Sequence, residues 1–165
     1  MPIVLLRVDE RLIHGQVTVG WGAYLRPDRI VVVDDELASS TWEQELYGLG
    51  LPAGIETCFE DVATARRHLA DWREGSARTI VLTRDIATMR RLAEGGSLSG
   101  AEVNIGGIHY AAGRTAVLPY VYLSDEERRE LERLAEEGVE VAARDLPSSR
   151  KVELDQLLGE KHRQK

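Results

Sequence analysis

Cysteine is nearly missing from this 165-residue chain, where Cys58 stands alone. An internal disulfide and any multi-cysteine metal site are therefore excluded. Cys58 lies in the run Ile55-Glu56-Thr57-Cys58-Phe59 and reads as a buried structural thiol. No apolar stretch reaches membrane-spanning length and none reads as a secretory leader, so a cytoplasmic location is the expectation. Positive charge is also short. The formal net charge of −7 argues against general nucleic-acid binding and against docking on an anionic membrane, although local basic sites remain compatible with it. The dinucleotide-binding glycine fingerprint does not follow the first strand, and there is no P-loop and no Gly-x-Ser-x-Gly. NAD enzymes, ATPases and α/β-hydrolases are thereby disfavoured. No His, Asp or Glu pair has metal-ligand spacing, so no metal is expected.

What remains is an ordinary globular composition, 43% hydrophobic and 30% charged, long enough for one domain with a sizeable core. Apolar β-branched runs at Ile3–Leu6, Arg29–Val33, Ile55–Phe59, Thr79–Leu82, Glu102–Ile105 and Val139–Ala142 predict strands. Between them lie helical patterns: Val17–Leu25, a segment carrying Trp42, Glu45, Leu46 and Leu49, Asp61–Trp72, Asp85–Glu94, and a charged helix from Ser124. Ser39-Ser40-Thr41 offers N-caps for the second of these and Gly50-Leu51-Pro52 closes it. Ser124 with Glu127 matches a capping box. Val62, Ala65, Leu69 and Trp72 form one buried stripe, flanked by Arg66, Arg67 and His68 on a solvated face. Ile108–Val121 reads as two extended pieces around a hairpin-like turn at Ala112-Gly113-Arg114. Val152, Leu154, Leu157 and Leu158 mark a short terminal helix, and a polar tail follows. Trp21, Tyr24, Trp42 and Trp72 are all taken as core. This rhythm predicts an α/β fold: an open, mainly parallel twisted sheet of about seven strands with helices on both faces.

The chemistry concentrates in Arg7-Val8-Asp9-Glu10-Arg11-Leu12-Ile13-His14-Gly15-Gln16-Val17, where the first strand hands over to the first helix. In open α/β sheets this junction is the usual ligand crevice. Arginine forks suit phosphate oxygens, histidine can act as nucleophile or base near neutral pH, and helix-opening amides favour anions. Gly15 allows close backbone approach. The same residues also fit a surface ion-pair set around a structural histidine. The Gly106-Gly107 pair, straight after a strand, suits an anion or a simple turn equally.

With these residues in place, the chain resembles the IIB component of the mannose/fructose/sorbose family of the phosphoenolpyruvate-dependent phosphotransferase system. The eleven-residue loop is similar to that family's active-site loop at nearly every position. Trp21, Ile30–Asp34, Leu92–Gly96 and Val103-Asn104-Ile105-Gly106-Gly107 are similar to further family segments, in the same order. The resemblance covers residues 1–158 as one domain and leaves 159–165 as the tail. It implies a phosphocarrier: a phosphorylated IIA domain gives its phosphoryl group to His14, which passes it to a sugar held by the membrane IIC/IID components. It implies a protein with no cofactor and no metal, associated with the membrane through IIC/IID.

The resemblance makes His14 and Arg11 catalytic. Arg7, Asp9, Ile13, Gly15 and Gln16 would bind phosphate or support the loop, and Asp34, Gly106 and Gly107 would stand behind them. Ser39-Ser40 replaces an Asn-Asp pair of many relatives, while Asp34 still matches. Leu146–Lys151 resembles the family's C-terminal loop near the active site and is placed for phosphate contact. His109 is read as a strand residue in preference to a crevice residue. Two rival functions remain at this point: a regulatory phosphohistidine module that signals to a protein partner, and a non-covalent anion-binding domain. The sugar and the oligomeric state stay open.

Overall fold

The computed structural model describes residues 2–51 and 53–159; Met1, Pro52 and the tail from Glu160 to Lys165 lie outside the described residues. Six parallel strands form most of one sheet: β1 (Ile3–Val8), β2 (Arg29–Val33), β3 (Glu56–Glu60), β4 (Thr79–Thr83), β5 (Glu102–Ile105) and β8 (Glu140–Ala143). A two-residue antiparallel strand, β9 (Val152–Glu153), closes one edge, and the order is β3-β2-β4-β1-β5-β8-β9. The expected strand count and mainly parallel sense both hold.

Alternation along each strand divides the core into two layers. Val31, Val33 and Val81 face one side and pack against α3 (Val62–Glu74), α4 (Ile86–Ala93), α5 (Asp125–Glu136) and α6 (Leu154–Leu158). Ile30, Val32, Ile80 and Leu82 face the other, with Leu12, Ile13, Val17 and Leu37. This second layer is covered by α1 (Gly22–Leu25), by the π-helical turn Gln16–Trp21 that leads into it, and by α2 (Thr41–Gly48). The chain after β1 thus leaves on one face, whereas the helices after its neighbours β4 and β5 lie on the other. That reversal opens a crevice at the carboxyl end of β1, beside His14.

Several local expectations are corrected. The Val17–Leu25 helix opens as a π-turn, in which the Gly22 N–H reaches back to the Val17 carbonyl. Glycine suits the position, because a Cβ on Gly22 would sit 3.1 Å from that oxygen. The antiparallel hairpin does not turn at Ala112-Gly113-Arg114; its strands are β6 (Thr115–Leu118) and β7 (Val121–Leu123), and the reversal is at Pro119-Tyr120. Proline favours that corner because its φ is already set for a turn. Val152 belongs to β9, opposite Ala143, so the terminal helix begins only at Leu154. Ser40 does occupy the N-cap position of α2, yet its side chain makes no capping bond.

Trp21 and Trp72 are buried, but Tyr24 and Trp42 are about 70% exposed. Arg66 is no mere solvated residue: its Nη1 donates to the carbonyls of Arg91, Leu92 and Glu94, closing the end of α4. His68 likewise bonds Glu60 and lies edge-on to Trp72. The capping box of α5 is formed as expected, with the Ser124 hydroxyl accepting from Glu127 N and the Glu127 carboxylate from Ser124 N.

Candidate functional site

The site grows from the way β1 ends. Arg7 and Asp9 lie two residues apart, on one face of the extended chain, and both are wholly buried. At Leu12 the backbone enters the left-handed region, with φ of 55°. A non-glycine residue there stores strain of order 1–3 kcal/mol. The Leu12 side chain, fully buried in the second core layer, holds it in place. The Leu12 N–H donates to the Asp9 carbonyl at 3.0 Å, closing a tight turn that carries Ile13 and His14 over the sheet end. Ile13 is buried in that layer, so it supports the loop through packing.

Asp9 is the hub. Its Oδ2 accepts from Arg7 Nη2 at 3.1 Å, Arg11 Nη2 at 2.9 Å and the Gly107 amide at 3.1 Å, and lies 3.2 Å from His14 Nε2. Its Oδ1 accepts from Arg11 N and Arg11 Nε, both at 3.0 Å. Burial alone would raise its proton affinity. The hydrogen bonds from His14 and Arg11, with the charge of Arg7, reverse this and hold the carboxyl well below the usual carboxylate range.

Because Asp9 is a carboxylate, the His14 Nε2 facing it carries hydrogen. In the neutral ring Nδ1 then holds the lone pair, and it accepts from Gln16 N at 3.3 Å. The Val17 and Thr18 amides are committed to the His14 carbonyl at 3.0 and 2.9 Å. The space where a Gly15 side chain would project is free of other parts of the chain.

Arg7 serves as a brace. Its Nη1 bonds the Asn104 side chain and the Arg144 carbonyl, its Nη2 bonds the Asp145 carbonyl as well as Asp9, and its Cζ lies 5.5 Å from the centre of the Trp21 ring. Burial pulls down its hold on the proton, against the charge and hydrogen bond of Asp9. With no exposed surface it is out of reach of a ligand or partner. Arg11, 33% exposed, is the loop arginine that a ligand can reach. The two glycines after β5 are needed for close approach: a Cβ on Gly106 would overlap the Arg7 guanidinium and sit 2.6 Å from Asp9 Oδ2, and one on Gly107 would sit 2.8 Å from Arg11 Nη2.

The loop residues expected at the site therefore meet at one place, but Asp34 does not join them. It lies at the end of β2, with β4 between it and β1, and its bonds go to Leu37 N and Arg84 Nε. His109 is not a strand residue. It follows β5 in a loop, where its amide bonds Glu10 Oε1 at 2.6 Å and its ring lies 3.3 Å from the same oxygen. Within the Leu146–Lys151 segment, Ser149 Oγ accepts from Leu146 N. The residue that reaches the site is Asp145, just before the segment. Asn104 and Asp145 carry no expected role and Trp21 only that of a core residue, because their partners at the site are 97 to 138 residues away in sequence and no local pattern marks them. Among the described residues no group of His, Cys, Asp and Glu is arranged to hold a metal ion.

Comparison with known proteins identifies the family. Residues 3–165 match the model of the PTS system sorbose subfamily IIB component. The chain belongs to that family. It is 31% identical to the N-acetylgalactosamine-specific phosphotransferase enzyme IIB component 1 of Escherichia coli, over 92% of this chain and 96% of that protein. It is also 31% identical to the mannose-specific EIIAB component of the same organism, but there it spans only 49% of the longer protein. The crystal structure of manxB from Thermoanaerobacter tengcongensis superposes with a TM-score of 0.81 at 31% identity, covering 94% of each chain. As a PTS IIB component the protein is a phosphotransferase of sugar uptake at the level of its family, and none of its described helices is long and apolar enough to cross a membrane.

Proposed function

We propose that His14 is a phosphocarrier: it accepts a phosphoryl group at Nδ1 from a phosphorylated IIA domain and hands it to a sugar presented by IIC and IID membrane components. The observation that carries this reading is the orientation of the ring, with Nε2 on a fully buried carboxylate and Nδ1, bearing the lone pair, turned to the Gln16 amide on a side chain that keeps some exposed surface. As the new N–P bond forms at Nδ1, the bond from phosphorus to the donor breaks. The positive charge that develops on the ring is balanced by Asp9, while the Nε2 proton stays where it is. In the second transfer a sugar hydroxyl oxygen attacks phosphorus, loses its proton, and Nδ1 leaves with its electron pair.

Arg11 supplies charge to the moving phosphoryl group. Asp9 fixes its Nε and Nη2, and its Nη1 has no bond among the described residues. As the Nδ1 lone pair turns to phosphorus its hydrogen bond from the Gln16 amide breaks, and that N–H becomes a further donor to the phosphoryl oxygens. Phosphoryl transfer asks a protein chiefly for such positioning and charge stabilisation. The existence of a IIA-fused relative, the mannose-specific EIIAB component, supports a IIA donor for this chain. On this reading the protein works in the cytoplasm, at the membrane face of its IIC/IID partners.

The test is an intact-mass measurement. The protein is incubated with phosphoenolpyruvate, the general phosphotransferase proteins and a phosphorylated mannose-family IIA, in parallel with His14→Ala. One acid-labile phosphoryl adduct on the wild type and none on the variant is expected. An adduct that persists on His14→Ala, or none on the wild type with a IIA shown competent on another IIB, would overturn the proposal.

A further inference from the structure

Gln16 is held at both ends of its carboxamide. Its Oε1 accepts from Arg11 Nη2 at 2.6 Å, and its Nε2 donates to Asp145 Oδ2 at 3.4 Å. The assignment of the two ends follows from chemistry: a guanidinium can only donate and an ionised carboxylate can only accept. Arg11 and Asp145 together set which way Gln16 faces, so Asp145 anchors the far end of the carboxamide while Gln16 supports the guanidinium side that carries Nη2. The placement of Asp145 is itself fixed without its side chain. Its backbone carbonyl accepts from Trp21 Nε1 at 3.0 Å and from Arg7 Nη2 at 3.1 Å, so two residues of the β1–α1 region pin the chain just after β8. Gly20 allows the same approach, because a Cβ there would lie 2.7 Å from Leu146 Cδ2.

A hydrogen-bonding side chain in this position needs a reason. One of its oxygens, Oδ1, is buried with no hydrogen-bond partner among the described residues, and the other, Oδ2, is bonded by Gln16. Leaving a buried acceptor unsatisfied is costly, so its retention calls for an explanation. The bond to Gln16 provides one.

We infer that Asp145 is a positioning residue of the transfer site: it locks the Gln16 carboxamide so that Gln16 Oε1 holds Arg11 in the attitude needed at His14. The inference rests on the reading of His14 as phosphoryl acceptor. Asp145 touches neither donor nor phosphate; it acts through two side chains, Gln16 and then Arg11. Its role is that of an oriented acceptor, and its negative charge is incidental. Asparagine, which keeps a carbonyl oxygen for Gln16 Nε2, should therefore replace it, and alanine should not.

The test uses Asp145→Ala, Asp145→Asn, Gln16→Ala and the double variant Asp145→Ala/Gln16→Ala, with two readouts. The first is the rate of phosphoryl uptake from phosphorylated IIA as a function of donor concentration. Asp145→Ala should lower the saturated rate roughly five- to tenfold, the worth of about one hydrogen bond, and leave the half-saturating donor concentration unchanged. Asp145→Asn should stay within about twofold of wild type, and the double variant should be no slower than Gln16→Ala, since a residue acting only through Gln16 has nothing to add once Gln16 is gone. The second readout is the NMR order parameter of the Gln16 side-chain amide, which should fall in Asp145→Ala and not in Asp145→Asn. Uptake by Asp145→Ala at the wild-type rate, loss in Asp145→Asn as large as in Asp145→Ala, or additive losses in the double variant would overturn the inference. If the wild type takes up no phosphoryl group, the reading of His14 fails first. The amide order then decides the role of Asp145 alone: an equally rigid Gln16 in Asp145→Ala refutes it.

Discussion

Replacing Asp9 by Asn tests the electrostatic core of the site. The substitution preserves shape, so its cost comes from hydrogen bonding and charge. Oδ2 receives Arg7, Arg11, His14 and the Gly107 amide, and Oδ1 receives two N–H groups of Arg11. Whichever position the new NH2 takes, it faces donors. If it replaces the Oδ1 position, two donors lose their acceptor; at the Oδ2 position more are lost. Arg7, wholly buried, would also lose its countercharge.

Breaking a buried ion pair by removing one partner costs about 3–5 kcal/mol. A chain of 165 residues has an unfolding entropy of about 0.35 kcal/mol per kelvin, so Tm should fall by roughly 9–14 °C near neutral pH. The pH dependence gives a second signature. The Asp9 carboxyl is held below its ordinary value in the folded protein, so the unfolded chain binds its proton more readily. Its stabilising contribution is complete above the unfolded value, about 4, and drains away as pH falls through the lower folded value. The gap between wild type and Asp9→Asn should therefore be full at pH 7 and shrink below pH 4. Urea unfolding at several pH values measures it. Equal stability at pH 7, or a gap that does not narrow in acid, would refute the reasoning.

Other consequences follow from particular contacts. Gly106→Ala should destabilise by about 2 kcal/mol or more, because a Cβ there overlaps Arg7, whereas Gly48→Ala, at the end of α2 with open space around it, should be neutral or stabilise by up to about 1 kcal/mol; thermal denaturation compares the pair. Leu12→Gly should unfold at higher denaturant than Leu12→Ala, by about 1 kcal/mol, since only glycine relieves the φ of 55°. The reverse order would remove backbone strain from the account of the loop. Arg11→Lys should slow phosphoryl uptake about tenfold or more by losing the two-point grip on Asp9, while Arg66→Ala, which loses the closure of α4, should lower stability by about 1 kcal/mol and leave uptake unchanged.

The layers of the fold were legible because strand alternation and the helix stripes are local signals. Val62, Ala65, Leu69 and Trp72 are buried as their spacing requires, and the Ser124–Glu127 capping box is formed. Two-residue β9 was not legible, since a strand that short carries no periodicity and is defined only by its pairing with Ala142 and Ala143. Nor was the outward apolar side of α2, where Trp42 and Leu46 have helical spacing but no partner layer among the described residues. At the site, the loop Arg7–Val17 announced itself through the density of its functional groups. The roles within it did not. Arg7 and Arg11 look alike in sequence, and only the fold separates the buried brace from the exposed arginine. Asn104 and Asp145 reach the loop across the sheet, from sequence distances at which no spacing rule applies.

The most direct test of the account is the identity of the phosphorylated nitrogen. After phosphorylation through IIA, long-range proton–nitrogen NMR of 15N-labelled protein distinguishes the two ring positions of His14. The geometry predicts the phosphoryl group on Nδ1 and a retained proton on Nε2 beside Asp9. Phosphorylation at Nε2, or at a residue other than His14, would contradict it.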